Sequence, residues 1–253
     1  MNGFIEFLCS GWWQIIVTAV VGYLLGSINF AIIITRIVDR NKDIRSMGSG
    51  NAGFTNVLRS VGKGPAVFTI VFDFLKAVIA VVIGGFLFSS IASQGTVQSV
   101  EFACFGKYLA GLCCIAGHMF PVYFGFKGGK GVVTTAALMA VAEWRVFLVI
   151  IALFLIIFAI SKIISLGSVI CAVCYPIATF CFTFFVDYLP NVNTATAHSM
   201  LYVIVSTLFT LLIGLCVIIK HRSNIQRLLN GTEKKITGKK ELYSVFLIKE
   251  VTL

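Results

Sequence analysis

Charge is scarce in this sequence. Only 12% of its 253 residues are Asp, Glu, Lys or Arg, about half the share of roughly 25% found in a typical soluble domain. That scarcity excludes an ordinary soluble globule. A hydrophobic share of 58% and a mean hydropathy of +0.99 exclude a disordered chain as well. Acidic residues are scarcest, ten against twenty basic ones. No proline- or serine-rich linker and no internal repeat divides the chain, so it reads as one membrane-embedded domain over residues 1–236 with a tail, 237–253, of no assigned role. The N-terminus has neither a basic stretch nor a small-residue cleavage site. It is therefore not read as a removed signal peptide, and Trp12 and Trp13 read as interfacial anchors.

What is present is a series of long apolar runs. A bilayer-spanning helix needs roughly 20 largely apolar residues. Seven candidates follow in order: 12–34, 65–88, 102–124, 132–142, 146–160, 165–186 and 197–219. The fourth is short enough to be re-entrant, which leaves six as the fallback. The expected fold class is an all-α integral membrane protein of about seven transmembrane helices.

The net charge of +10 could suggest a nucleic-acid partner, but basic residues in a membrane protein report orientation first. Six Lys/Arg lie in 36–63, two in 127–131, one at Lys162 and eight from Lys220 onward. Seven spans put all of these on one side. The opposite loops hold only Lys107 and Arg145, and Lys76 lies inside the second span. The rich side is expected to be cytoplasmic, with the N-terminus outside, and no nucleic-acid partner is needed. The eight cysteines fall almost entirely in apolar segments. Cys171-Ala-Val-Cys174 has redox or zinc spacing without polar context, so small apolar packing residues are the simpler reading.

Two glycine-rich loops on the basic side carry the chemistry. The first contains Gly48-Ser-Gly-Asn-Ala-Gly53, which satisfies the dinucleotide pattern G-x-G-x-x-G. It follows a transmembrane helix rather than a strand of a βαβ unit, so that reading fails. The physics survives: glycines let backbone N–H groups converge on an anion. Ser49, Asn51, Thr55 and Asn56 add neutral donors, and Arg45 and Arg59 add charge-assisted contacts. A flexible basic turn accounts for the same spacing. The second loop, Phe126-Lys-Gly-Gly-Lys-Gly131, opens a helix and also suits an anion. Gly131 after Lys130 breaks the Walker A pattern, and a basic interfacial turn is again the alternative.

In the segment after the last span, His221 and Asn224 are three apart and share a helical face, while Arg222 and Arg227 are placed to meet lipid headgroups. Ser165 and Ser168 either cap the sixth span or contact a ligand. Asp73 and Lys76, costly inside a bilayer at about 2.5–3.5 kcal/mol each on insertion scales, are expected to form a structural pair. His118 is read as a hydrogen-bonded packing residue, and His198 lies on the outer side.

Together, Gly26-Ser-Ile-Asn29, Asp43-Ile-Arg45, Gly48-Ser-Gly-Asn-x-Gly-x-Thr-Asn-x-x-Arg59, Gly117-His-x-x-Pro121, Phe126-Lys-Gly-Gly-Lys-Gly131 and His221-Arg-x-Asn-Ile-x-Arg-Leu228 resemble the bacterial acyl phosphate:glycerol-3-phosphate acyltransferase family. The resemblance runs from Gly26 to Glu233. Phe54 departs from the usual Ala, and Ala77 from the usual Gly after Asp73-x-x-Lys76. The resemblance implies transfer of a fatty acyl group from acyl phosphate to the 1-hydroxyl of sn-glycerol 3-phosphate, in phospholipid synthesis at the cytoplasmic face of the bacterial cell membrane. It implies substrate phosphate binding by Ser49, Gly50, Asn51, Thr55, Asn56, Arg59, Lys127, Gly128, Gly129 and Lys130. Substrate positioning would fall to Arg45 and Ser165, and catalysis to His221 and Asn224, with no cofactor and no metal.

An acyl phosphate is a mixed anhydride and already activated, so no covalent enzyme nucleophile is required. The protein must position two phosphates and offset developing oxyanion charge. The His-x4-Asp dyad of soluble-type glycerophosphate acyltransferases is absent: Tyr123, Val203 and Gln226 stand five residues after the three histidines. Substrate assistance is the favoured mechanism, with His221 as base the second. A transporter of a phosphorylated solute would want its basic residues nearer the midplane and in broken helices. A CDP-alcohol phosphotransferase would need clustered aspartates that the sequence lacks.

Overall fold

In the computed structural model, residues 11–92, 96–194 and 197–236 are described; Cys9 and the tail 237–253 lie outside them. The described residues form helices and connecting loops, without strands. The helices are α1 (Trp12–Ser27), α2 (Phe30–Val38), α3 (Phe54–Ser60), α4 (Lys63–Ser89), α5 (Val97–Met119), α6 (Val132–Ala142), α7 (Trp144–Ser161), α8 (Ile164–Cys181), α9 (Met200–Lys220) and α10 (Arg222–Leu229). Six segments are long and apolar enough to cross a bilayer, the first being α1 and α2 taken together.

The fourth expected span, the short one, is α6. Its 11 residues rise only about 16 Å, against a hydrocarbon core of roughly 30 Å. The chain nevertheless changes ends across it. Lys130, just before α6, meets Asn224 of α10. Arg145, just after α6, pairs with Asp187 beyond α8. The far end of α7 returns to the first face, where Ile236 N–H donates to Lys162 O at 2.8 Å. At the last turn of α6, Lys107 Nζ donates to Val141 O at 3.3 Å.

α5 is the axis of the bundle, and small residues let its neighbours touch its backbone, as expected where lipid removes the hydrophobic drive between helices. A Cβ on Gly26 of α1 would lie 2.1 Å from Cys114 O, and one on Gly84 of α4 would lie 2.4 Å from Gly106 O. Tyr108, Ile115 and Met119 of α5 join Leu138, Tyr175 and Ile213 in the main core. α7 buries only Val146 and Ile150, so it presents most of its surface outward.

The first expected span is broken. Helix α1 stops at Ser27, and Asn29 starts α2 by accepting from Ile32 N–H at 3.2 Å. The break frees the carbonyls of Gly26 and Ile28, which accept from Lys76 Nζ of α4 at 3.0 and 2.6 Å. Unpaired backbone groups are costly in a bilayer, and this explains part of what a buried lysine does there. The last span is a single helix, but it does not run on beyond its end: α9 stops at Lys220, and His221 stands between α9 and α10.

Candidate active site

All the basic loops named from sequence meet at one end of the bundle. Loop one is folded by its own side chains. The Asp43 carboxylate accepts from Arg45 N–H at 2.9 Å and from Arg45 Nη2 at 2.7 Å; the Arg45 guanidinium holds Asp43 well below the usual carboxylate range. Arg45 Nη1 then donates to Phe124 O at 2.6 Å. Its fork is thus spent joining the two loops. Asn56 is similarly committed. Its Oδ1 accepts from Ser49 N–H at 3.0 Å, and its Nδ2 donates to Ile44 O and Met47 O at 3.0 and 2.9 Å. Gly48 and Gly50 turn the loop at φ +56° and +70°, a region other residues seldom adopt. Ser49 and Gly50 are exposed, and Asn51 and Thr55 half-buried. Arg59, in the last turn of α3, donates from Nη2 to Lys234 O at 3.2 Å, while its Nε is buried without a partner among the described residues.

Loop two separates the two lysines. Lys127 is exposed, whereas Lys130 is half-buried and donates to Asn224 Oδ1. Burial lowers the Lys130 pKa to about 8, with Arg227 and Arg59 acting the same way and Glu233 opposing. Gly128 and Gly129 owe their identity to close approach: a Cβ on either would lie 2.0–2.3 Å from backbone or ring atoms of His118.

From α10, Asn224 is turned by its two neighbours, accepting from Lys130 and donating from Nδ2 to Glu233 Oε1 at 2.7 Å. His221 is buried, and its Nδ1 lies 2.8 Å from Val217 O. A carbonyl only accepts, so Nδ1 carries the proton and Nε2 offers a lone pair. Burial lowers the His221 pKa to about 4, against the hydrogen bond to Val217, leaving a neutral ring at neutral pH.

Ser165 does not cap its helix. The N-cap of α8 is Ile163, without a side-chain bond; Ser165 Oγ donates to Glu233 Oε1 at 2.7 Å, and Ser168 Oγ to Ile164 O at 3.0 Å. Capping therefore accounts for neither serine. The residue that sequence reasoning left out of the site is Glu233. Its carboxylate accepts from Ser165, Asn224 and Arg227, the last at 2.6 Å from Nε. Burial raises its pKa, but these three bonds outweigh that and hold it below the ordinary glutamate value. The available signal was a lone acid among the basic residues from 220 to 236.

An all-helical membrane protein whose glycine-rich cationic loops gather with a serine, an asparagine and a neutral histidine at one end is built to handle a phosphorylated substrate at a membrane surface. The sequence profile of glycerol-3-phosphate acyltransferase matches residues 16–231. A glycerol-3-phosphate acyltransferase of Clostridioides difficile (strain 630) is 39% identical over 226 residues, covering 89% of this chain and 97% of the relative. One from Trichormus variabilis is 37% identical, covering 87% and 91%. A crystal structure of PlsY (YgiH), an integral membrane glycerol 3-phosphate acyltransferase, in its glycerol 3-phosphate form superposes with a TM-score of 0.69 at 33% identity, covering 88% of this chain and 96% of that one. The chain belongs to the glycerol-3-phosphate acyltransferase family, and it is a membrane acyltransferase.

Proposed function

We propose that the protein moves a fatty acyl group from acyl phosphate to the 1-hydroxyl of sn-glycerol 3-phosphate, at the cytoplasmic face of a bacterial plasma membrane. Solved forms of PlsY with glycerol 3-phosphate and with lysophosphatidic acid support the acceptor and product. The observation that carries the reading is the convergence of Lys130, Arg59, Ser165, His221 and Asn224 at the basic end. Lys130 and Arg59 hold phosphate. Ser49, Gly50, Asn51, Thr55, Gly128 and Gly129 shape the loops around it, and Lys127 adds charge at the rim. Asn56 and Arg45 act by fixing loop one.

In the reaction, the glycerol hydroxyl oxygen attacks the acyl carbonyl carbon and the bond from that carbon to the phosphate oxygen breaks. The hydroxyl proton passes to an oxygen of the departing phosphate, giving lysophosphatidic acid and hydrogen phosphate. His221, with a pKa near 4, is a weak base at neutral pH. Its free Nε2 suits accepting a hydrogen bond from the hydroxyl and so aiming it, which favours substrate assistance. Asn224, whose Nδ2 carries a second hydrogen beyond the one given to Glu233, supplies a donor for the developing oxyanion, while Ser165, its hydroxyl hydrogen on Glu233, positions the substrate.

Purified protein given acyl phosphate and glycerol 3-phosphate is expected to form lysophosphatidic acid. Product from acyl-CoA or acyl carrier protein but none from acyl phosphate overturns the donor. A His221→Ala variant whose remaining rate no longer depends on the basicity of the donor phosphate makes His221 the base.

A further inference from the structure

Three buried polar side chains beneath the loops take no part in the chemistry above. Asp73 and Lys76 of α4 form an ion pair at 2.8 Å, each side chain 3% exposed. Lys76 Nζ also lies 3.1 Å from His118 Nδ1. Asp73 Oδ1 stands 3.6 Å from the same Nδ1, so the pair holds this side of the ring and leaves Nε2 on the other. That nitrogen faces the second loop: a Cβ on Gly129 would lie 2.3 Å from His118 Nε2 and 2.6 Å from Ala52 O of loop one. The main chain is gripped at the same place, with Gly129 N–H donating to His118 O at 3.1 Å. Ala52 O in turn accepts from Asn29 Nδ2 at 3.4 Å, at the helix break whose carbonyls Lys76 satisfies. The contacts close a ring from the α1–α2 break, through Ala52, Gly129, His118 and Lys76, back to the break.

Holding the break open needs the lysine but not the imidazole. We propose that His118, its ring fixed by the Asp73–Lys76 pair, is a positioning residue that seats the second glycine-rich loop on the first and thereby places Lys130 against the substrate phosphate. This rests on the phosphate role given to Lys130 above.

His118→Asn keeps an acceptor near Lys76 but withdraws from Gly129. It is expected to raise KM for glycerol 3-phosphate about tenfold, a loss in keeping with sub-ångström misplacement, with kcat and the unfolding temperature in detergent changed far less. Gly129→Ala, which sets a methyl group against Nε2, should raise KM in the same direction. In the double variant the shortened side chain removes the clash with the ring and leaves only the one with Ala52 O, so the two effects should be less than additive. Unchanged KM in folded His118→Asn protein, or strict additivity, overturns the proposal. If His118→Asn does not accumulate, unchanged KM in Gly129→Ala overturns it instead. Lys130→Met separates the two levels: a raised KM there with none in the His118 and Gly129 variants sinks only the positioning role, whereas unchanged KM in Lys130→Met sinks the phosphate role beneath it.

Discussion

At the end of the bundle remote from the glycine-rich loops, Arg145 is gripped by Glu143 at 2.6 Å and by Asp187 at 2.7 Å, with the Phe182 ring 5.3 Å away. Nearby, Glu101 accepts from Ser199 Oγ at 2.8 Å. Glu143, Arg145 and Asp187 border a cavity of about 510 Å³ that also reaches Lys107, His198 and Tyr202. At the loop end, Lys130 meets an amide rather than a carboxylate, and Arg59 keeps a buried Nε without a partner among the described residues. Charge matched by charge holds helices together; cationic groups left with donor capacity can take an anion. The contrast separates the two ends more sharply than the net count of basic residues does.

The largest expected effect is at the loop end. Lys130→Met should lower kcat/KM by about a thousandfold, near 4 kcal/mol in transition-state terms, while leaving thermal unfolding almost unmoved. Arg145→Ala at the other end should do the reverse. It strands two largely buried carboxylates at a cost of about 2–3 kcal/mol, read as a lower unfolding temperature, and the protein that stays folded should keep its activity. Were Arg145→Ala to abolish turnover at unchanged stability, the division between the two ends would fail.

A third effect sharpens the loop end itself. Lys130 titrates near pH 8, so its charge is present below that pH and lost above it. The kcat/KM for glycerol 3-phosphate, which reports free-enzyme groups, should fall about tenfold per pH unit above that point. Glu233 supports the charge on Lys130, so Glu233→Gln should move this alkaline limb to lower pH. A limb that stays in place assigns it to another group. Smallest is Lys127→Met: an exposed lysine should cost only about threefold in kcat/KM, and the loss should shrink as salt screens the surface.

Much of this was legible in the sequence, for reasons of range. Hydropathy marked six full spans because each is a continuous local run. The short segment 132–142 was visible too, although its length left open whether the chain crosses there. Glycine with lysine or arginine marked both loops, since phosphate chemistry demands those residue types close together. The roles inside the loops were less legible. Lys127 and Lys130 are indistinguishable by composition, yet one is exposed and the other half-buried. Asn56 and Arg45 resemble ligand groups in sequence, but Asn56 is occupied with its own loop and Arg45 with Asp43 and Phe124. Ser165 read equally well as a cap or a contact until its hydroxyl was found on Glu233.

The sequence by itself determined the medium and the sidedness of the charge, because transfer from water to lipid and the distribution of Lys and Arg are summed over short stretches of chain. Tertiary structure alone decided that helix α1 breaks over a buried lysine, that Glu233 joins the cluster and that His221 presents Nε2. Lys130 and Asn224 are 94 residues apart, and Ser165 and Glu233 are 68 apart. Hydrogen bonds act over about 3 Å, and only packing brings such distant positions within that reach.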